Sequence, residues 1–196
     1  MREKRRQLTA ARGFLVGAAT LFVAACVPRP PIAFDAPQKA SCCATLRLAT
    51  FQAMSPGGPT HAHIGTNANP TFDFPDGRST FVAYRLPASR ARTVEVDTYL
   101  SSSWLPDATV FRPRLIFLDE NYQTVGYNHL DKMEASGKFV VGAYYFGVSE
   151  IPESSRYVVV YGAPSARTER LVARSENGRA FGIPNAYEGD ISLFLK

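Results

Sequence analysis

Few residues in this chain combine the types and spacing that chemistry needs. His61 and His63 stand two apart in HAHIG, and extended backbone would place both rings on one face. His129 is the third and last histidine, with Asp131 beside it in GYNHLD. Three imidazoles are enough for a zinc ion. No HExxH spacing occurs, however, and GPTHAHIGTNANP (58–70) reads as a polar surface loop, so no metal is expected. Asp119 and Glu120 adjoin in FLDEN. Glycoside hydrolysis needs two carboxyls facing each other roughly 5 or 9 Å apart, whereas neighbours in a strand point to opposite faces. Asp119 therefore reads as a turn or cap acid, and Asp73, Asp76 and Asp97 are no better placed. No GxSxG occurs. The reading is a non-catalytic chain with no cofactor, and an envelope glycan hydrolase is the weakest alternative.

The cysteines carry different information. Cys42 and Cys43 are adjacent, and neighbouring Cα atoms lie about 3.8 Å apart where ordinary disulfides want about 5.5 Å. In an oxidising compartment three fates stay open: a vicinal disulfide, a bridge to a partner chain, or a pair of buried thiols. Cys26 stands apart from both. It follows a basic head, MREKRRQLTAAR, and an uncharged run from Gly13 to Ala25 that is too short to cross a bilayer. Val23, Ala24, Ala25 and Cys26 resemble the lipobox of bacterial lipoproteins, in which the signal is cut before a cysteine whose thiol carries diacylglycerol. Residues 1–25 are expected to be a lipoprotein signal peptide, with Cys26 the lipidation site and membrane lipid its first partner. Two or three acyl chains hold durably where one holds only reversibly. Val27 after the cysteine favours the periplasmic face of the outer membrane. The Arg5 and Arg6 pair leaves Sec and Tat export both open.

Removal of that signal changes the charge argument. The chain holds 22 Lys plus Arg against 17 Asp plus Glu, but residues 1–25 contain five of the bases and one of the acids. The remainder is 17 against 16, so the basicity belongs to the signal and a nucleic-acid partner is excluded.

Amphipathic rings suit saccharides, because an apolar face stacks on a sugar while edges hydrogen-bond its hydroxyls. Tyr99, at the end of a strand pattern, and Trp104, in the turn SSSWLPD, form the candidate sugar platform, with Trp104 the ring expected at the surface. The other tyrosines near strands read as core or interface.

The elements that must position these residues are mostly strands. Residues 26–40 are rich in proline and read as an acylated cysteine plus a tether that would reach roughly 45 Å if extended. Residues 41–196 read as one β domain. Strand patterns cover 78–87, 92–100, 109–119, 137–148 and 155–163, the last two expected near sheet centres, and Ser192 to Leu195 should pair with another strand. Pro113 predicts an edge position, a bulge or a break before RLIFLD. Short helices are expected at 128–135 and at 163–175, the latter capped by Ser165. The fold class is all-β, a β-sandwich or jelly-roll-like single domain with one or two short helices.

From CCATLRLATF (42–51) onward the chain resembles the maltose operon periplasmic protein family. The likeness rests on Cys42-Cys43, TFDFPDGRSTFVAYRLP (71–87), VFRPRLIFLDENY (110–122), YVVVYG (157–162) and GDISLFL (189–195). It implies export, a mainly β domain and an association with maltose or maltodextrin use, and it brings no catalytic residues. The chain departs from those members by its lipid anchor and by having no long extension after Leu195. The function expected is an envelope-associated accessory or interaction lipoprotein whose partner is an envelope protein or glycan. A maltodextrin- or polysaccharide-binding module is the alternative.

Overall fold

Apolar and polar residues alternate along 93–99, where Val94, Val96 and Thr98 face one way and Glu95, Asp97 and Tyr99 the other. The same period recurs along most of the chain, and it builds strands rather than helices. The structure is a computed structural model that describes residues 34–88, 91–138, 142–164 and 170–196. Residues 1–25, Cys26 and the start of the tether lie outside the described residues.

Among the described residues fifteen strands follow in order. The first eight are β1 (Gln52–Ala53), β2 (Thr60–Ile64), β3 (Thr71–Phe74), β4 (Gly77–Arg85), β5 (Thr93–Tyr99), β6 (Val110–Phe111), β7 (Pro113–Leu118) and β8 (Thr124–Asn128). The rest are β9 (Glu134–Lys138), β10 (Gly142–Glu150), β11 (Tyr157–Gly162), β12 (Leu171–Arg174), β13 (Ala180–Ile183), β14 (Asn185–Ala186) and β15 (Gly189–Leu195). One sheet runs β1-β4-β11-β7-β8, with β3 also on β4, and a second runs β2-β15-β5-β10-β9. Val82, Tyr84, Leu115, Phe117, Val158 and Val160 of the first sheet share one core with Ile64, Val94, Val96, Ile191 and Leu193 of the second. The two sheets thus face each other as a sandwich, and each fully buried aliphatic chain contributes about 1.5–3 kcal/mol relative to exposure.

The back of the first sheet is covered too. Phe81, Ile116, Val159 and Tyr161 pack there with Leu46 from a 3-10 turn (Leu46–Leu48) and with Phe74 from β3. The Phe74 ring stacks on Tyr161 with centroids 3.9 Å apart. The tether is drawn into the same body at its end: Pro37 is buried, and Thr71 Oγ1 donates to the Ala40 carbonyl at 2.6 Å.

Several expectations need correction. The helix expected over 163–175 is absent from its described C-terminal part, where Leu171–Arg174 is a strand paired with β13. Leu171 and Ala173 are buried while Val172 and Arg174 are exposed, a period of two that the apolar pair had disguised. Residues 128–135 form no helix: β8 ends at Asn128, Leu130 turns the chain with φ +46°, and β9 begins at Glu134. Among the described residues the helical turns are Leu46–Leu48 and Leu105–Asp107. HAHIG is a strand and not a loop: β2 pairs with β15 as the edge of its sheet. Pro113 marks a break, separating β6 from β7, but β7 is an interior strand between β11 and β8. β11 sits at a sheet centre, and the 137–148 stretch divides between the end of the edge strand β9 and β10, an interior strand paired with β5 and β9.

Candidate functional site

Trp104 stands at one end of the sandwich, where β5 gives way to a loop. Leu100 makes an isolated bridge to Val110, and Ser101 N–H donates to the Thr109 carbonyl at 3.0 Å, so the loop closes on itself. Thr109 N–H donates to Ser101 Oγ at 2.9 Å and Trp104 N–H to Ser102 Oγ at 3.1 Å. Pro106 then sets the 3-10 turn that follows Trp104. Below this loop, Leu100 and Leu105 pack on Val110, Tyr145, Leu171 and Ile183. The base is therefore apolar and fixed, while the indole above it is 66% exposed.

The facing wall is the β12–β13 hairpin. Its turn, 175–179, is the Ser-Glu-Asn-Gly-Arg sequence with Gly178 at φ +80°, a conformation that favours glycine. Gly178 N–H donates to the Ser175 carbonyl at 2.8 Å, and Ser175 Oγ donates to Asn177 Oδ1 at 2.6 Å. Between loop and hairpin lies an open groove of about 770 Å³ lined by Ser102, Trp104, Arg174, Glu176, Asn177, Arg179 and Phe181, among others. The Arg179 guanidinium carbon is 5.1 Å from the Phe181 ring centroid. The groove's size suits a ligand of several rings, and it offers the exposed indole beside donors and acceptors, the Phe181 ring lying under Arg179.

Tyr99 does not share this groove. It lies on the outer face of the second sheet, half-buried, with its phenol 2.9 Å from Ser192 Oγ and its ring 5.8 Å from Tyr144. The platform expected from Tyr99 and Trp104 is thus two separate places, and Phe181 is the ring that joins Trp104. The same outer face holds the histidines. His61 Nδ1 is 2.7 Å from Ser192 Oγ, and His63 Nδ1 is 2.7 Å from Asp190 Oδ1. Asp97 is the register partner of Ser192 on the other side. These polar groups tie three neighbouring strands together. Among the described residues no group of three or more His, Cys, Asp or Glu could hold a metal.

The remaining candidates fall elsewhere. Asp119 Oδ1 accepts from the N–H groups of Asn121 and Gln123, both at 2.8 Å, which makes it a turn acid. The sulfurs of Cys42 and Cys43 are bonded to each other, and Cys42 N–H donates to the Thr71 carbonyl at 2.8 Å. A second groove, of about 550 Å³, lies at the opposite end of β5 between Leu86, Arg92, Ile151 and Arg156, and no aromatic ring lines it. Burial pushes the Tyr145 phenol up to about 12 and raises Tyr84 and Tyr161 as well, but these are core groups.

The helix expected over 163–175 hides Arg174, and Arg179 lies four residues beyond it in a stretch that the sequence assigns to no element. The Asn177-Gly178 dipeptide was the available signal, since it marks a tight hairpin. The chain matches no family model, no curated protein and no solved structure.

Proposed function

We propose that this protein is a non-catalytic lipoprotein of the bacterial envelope that binds a saccharide in the Trp104 groove. The observation that carries the reading is Trp104 itself. A protein without a use for it gains nothing from holding its one tryptophan two-thirds exposed on a fixed base, opposite guanidinium, amide and hydroxyl groups. Among the described residues the other large exposed apolar side chains are Phe34 in the tether and Leu48, Tyr127, Val148 and Val172 in four different elements. Dispersed in that way they suit a protein partner less well than the groove suits a sugar. The basic head, the apolar run and the small residues before Cys26 support anchoring on the periplasmic side of the outer membrane, where tethering raises the local concentration a weak binding site meets. The likeness to the maltose operon periplasmic proteins agrees with an exported β domain that handles glycan.

Because Trp104 is the sole tryptophan, indole fluorescence reports on this groove alone. Titration with soluble envelope and storage glycans is expected to shift or quench it saturably, and Trp104→Ala to abolish retention in affinity electrophoresis. Failure of every glycan to move the emission would remove the reading. Anchoring is tested separately: Cys26→Ser is expected to leave the membrane fraction, and an unacylated N-terminus by mass spectrometry would end that part of the proposal.

A further inference from the structure

We infer that the saccharide taken by this groove is acidic, with carboxylates on its sugar rings, and that Arg174 and Arg179 select it; the inference rests on the groove being a glycan site. The two arginines flank one hairpin turn, Arg174 at the end of β12 and Arg179 just before β13. Arg179 is steadied by the Phe181 ring at 5.1 Å, a contact that leaves the cation without a counter-charge. Arg174 donates a single hydrogen bond, to the Gly178 carbonyl at 3.3 Å. Among the described residues neither guanidinium has a carboxylate partner, and Glu176 is the only acid lining the groove.

This is a local excess of positive charge. Once residues 1–25 are set aside the chain is almost neutral, 17 bases against 16 acids, so two arginines beside the exposed indole without a carboxylate partner among the described residues do not follow from bulk composition. A neutral glucan offers hydroxyls, which mixed amides, acids and hydroxyls satisfy well. Guanidinium groups fit planar carboxylates in a forked geometry that a hydroxyl cannot reproduce. The indole would then stack on the ring of a uronate-type sugar while its carboxylate reaches the hairpin turn.

The test uses three soluble probes on the purified protein at about 0.15 M salt, where the screening length is roughly 8 Å and diffuse attraction is damped. The probes are oligogalacturonate, the same oligomer methyl-esterified, and maltoheptaose. Oligogalacturonate is expected to bind roughly tenfold or more tightly than its ester, a difference of one charged hydrogen-bonded contact. The double variant Arg174→Gln, Arg179→Gln should erase that preference while its melting temperature stays unchanged, since both side chains sit at an exposed turn. Trp104→Ala should weaken acid and ester alike. Equal affinity for acid and ester, or tighter binding of maltoheptaose, would overturn the acidic assignment and leave the glycan reading standing. Absence of binding by all three would overturn both.

Discussion

His61 Nδ1 and Ser192 Oγ meet at 2.7 Å across the β2–β15 ladder because the two residues are register partners. Asp97 faces Ser192 from β5, and the Tyr99 phenol reaches the same hydroxyl at 2.9 Å. The composition resembles that of a serine hydrolase, but the surroundings do not serve one. Ser192 has no exposed surface, and it lies on a strand paired on both sides, whose backbone N–H groups are used in the ladders. A nucleophile needs access and free donors aimed at a developing oxyanion. A fluorophosphonate probe is therefore expected to leave the protein unlabelled by intact mass. Ser192→Ala should cost about 1 kcal/mol in urea unfolding through lost hydrogen bonds. Labelling at Ser192 would reverse the non-catalytic reading.

Arg114 shows how differently two ion pairs behave. It is buried on the back of the first sheet and pairs with Asp76 from the turn between β3 and β4. Removing the acid takes a counter-charge from a buried cation, so Asp76→Asn should destabilise by about 3 kcal/mol, at the low end for broken buried pairs because Asp76 is partly exposed. The neighbouring Asp73 and Arg78 pair is bidentate but lies at the surface. There the hydrogen bond from Arg78 holds the Asp73 carboxyl below its ordinary range, yet solvent screens the pair. Asp73→Asn should shift the urea midpoint far less than Asp76→Asn, and equal shifts would contradict this account.

Much of the scaffold was legible because its period was clean. The 78–87, 92–100 and 155–163 patterns became β4, β5 and β11: β5 alternates because one face meets the core, whereas β4 and β11 are continuously apolar because both of their faces are covered. The edge strand at His61 was not legible: two histidines and an alanine carry little hydrophobic signal, and the strand is held by Asp190 and Ser192, more than a hundred residues away. The site was half legible. Trp104 was readable as exposed because Ser-rich sequence and Pro106 enclose it. Arg174 was not, since Leu171 and Val172 together imitate one turn of helix when in fact one faces inward and the other outward, and Arg179 lies beyond that segment, after the Asn177-Gly178 turn signal.

Tyr145 gives a pH-dependent prediction. Its phenol is buried beneath the Trp104 groove, and among the described residues its oxygen has no hydrogen-bond partner. Burial disfavours the phenolate and moves the group up to about 12, above the unfolded value of about 10. The unfolded chain thus releases this proton first. Stability from this group is intact below about pH 10 and falls as pH rises toward 12. Tyr145→Phe should be neutral or slightly stabilising at pH 7 and should lose less stability than the wild type between pH 10 and 12. Urea midpoints across that range test it, and parallel declines for the two proteins would refute it.

Gly189 lies directly against Phe111 of β6. A Cβ at this position would lie 2.7 Å from Phe111 Cβ and 3.3 Å from Phe111 N. Neither atom is the far end of a flexible side chain, and Phe111 is itself fully buried with its carbonyl accepting from Thr98 Oγ1 at 2.5 Å. Relief of the clash would have to move backbone. Gly189→Ala should therefore destabilise by about 1–3 kcal/mol, the usual cost of overpacking a filled core. Gly58→Ala is the matched control, because nothing lies within 4 Å of the added carbon there, and its effect should stay within about 0.5 kcal/mol. Since β6 also carries the base of the Trp104 loop, the strain should reach the groove: indole emission in Gly189→Ala is expected to shift toward the solvent-exposed limit at urea concentrations where the control is unchanged. Coincident melting of the two alanine variants would show that β6 and β15 are not packed as closely as this account requires.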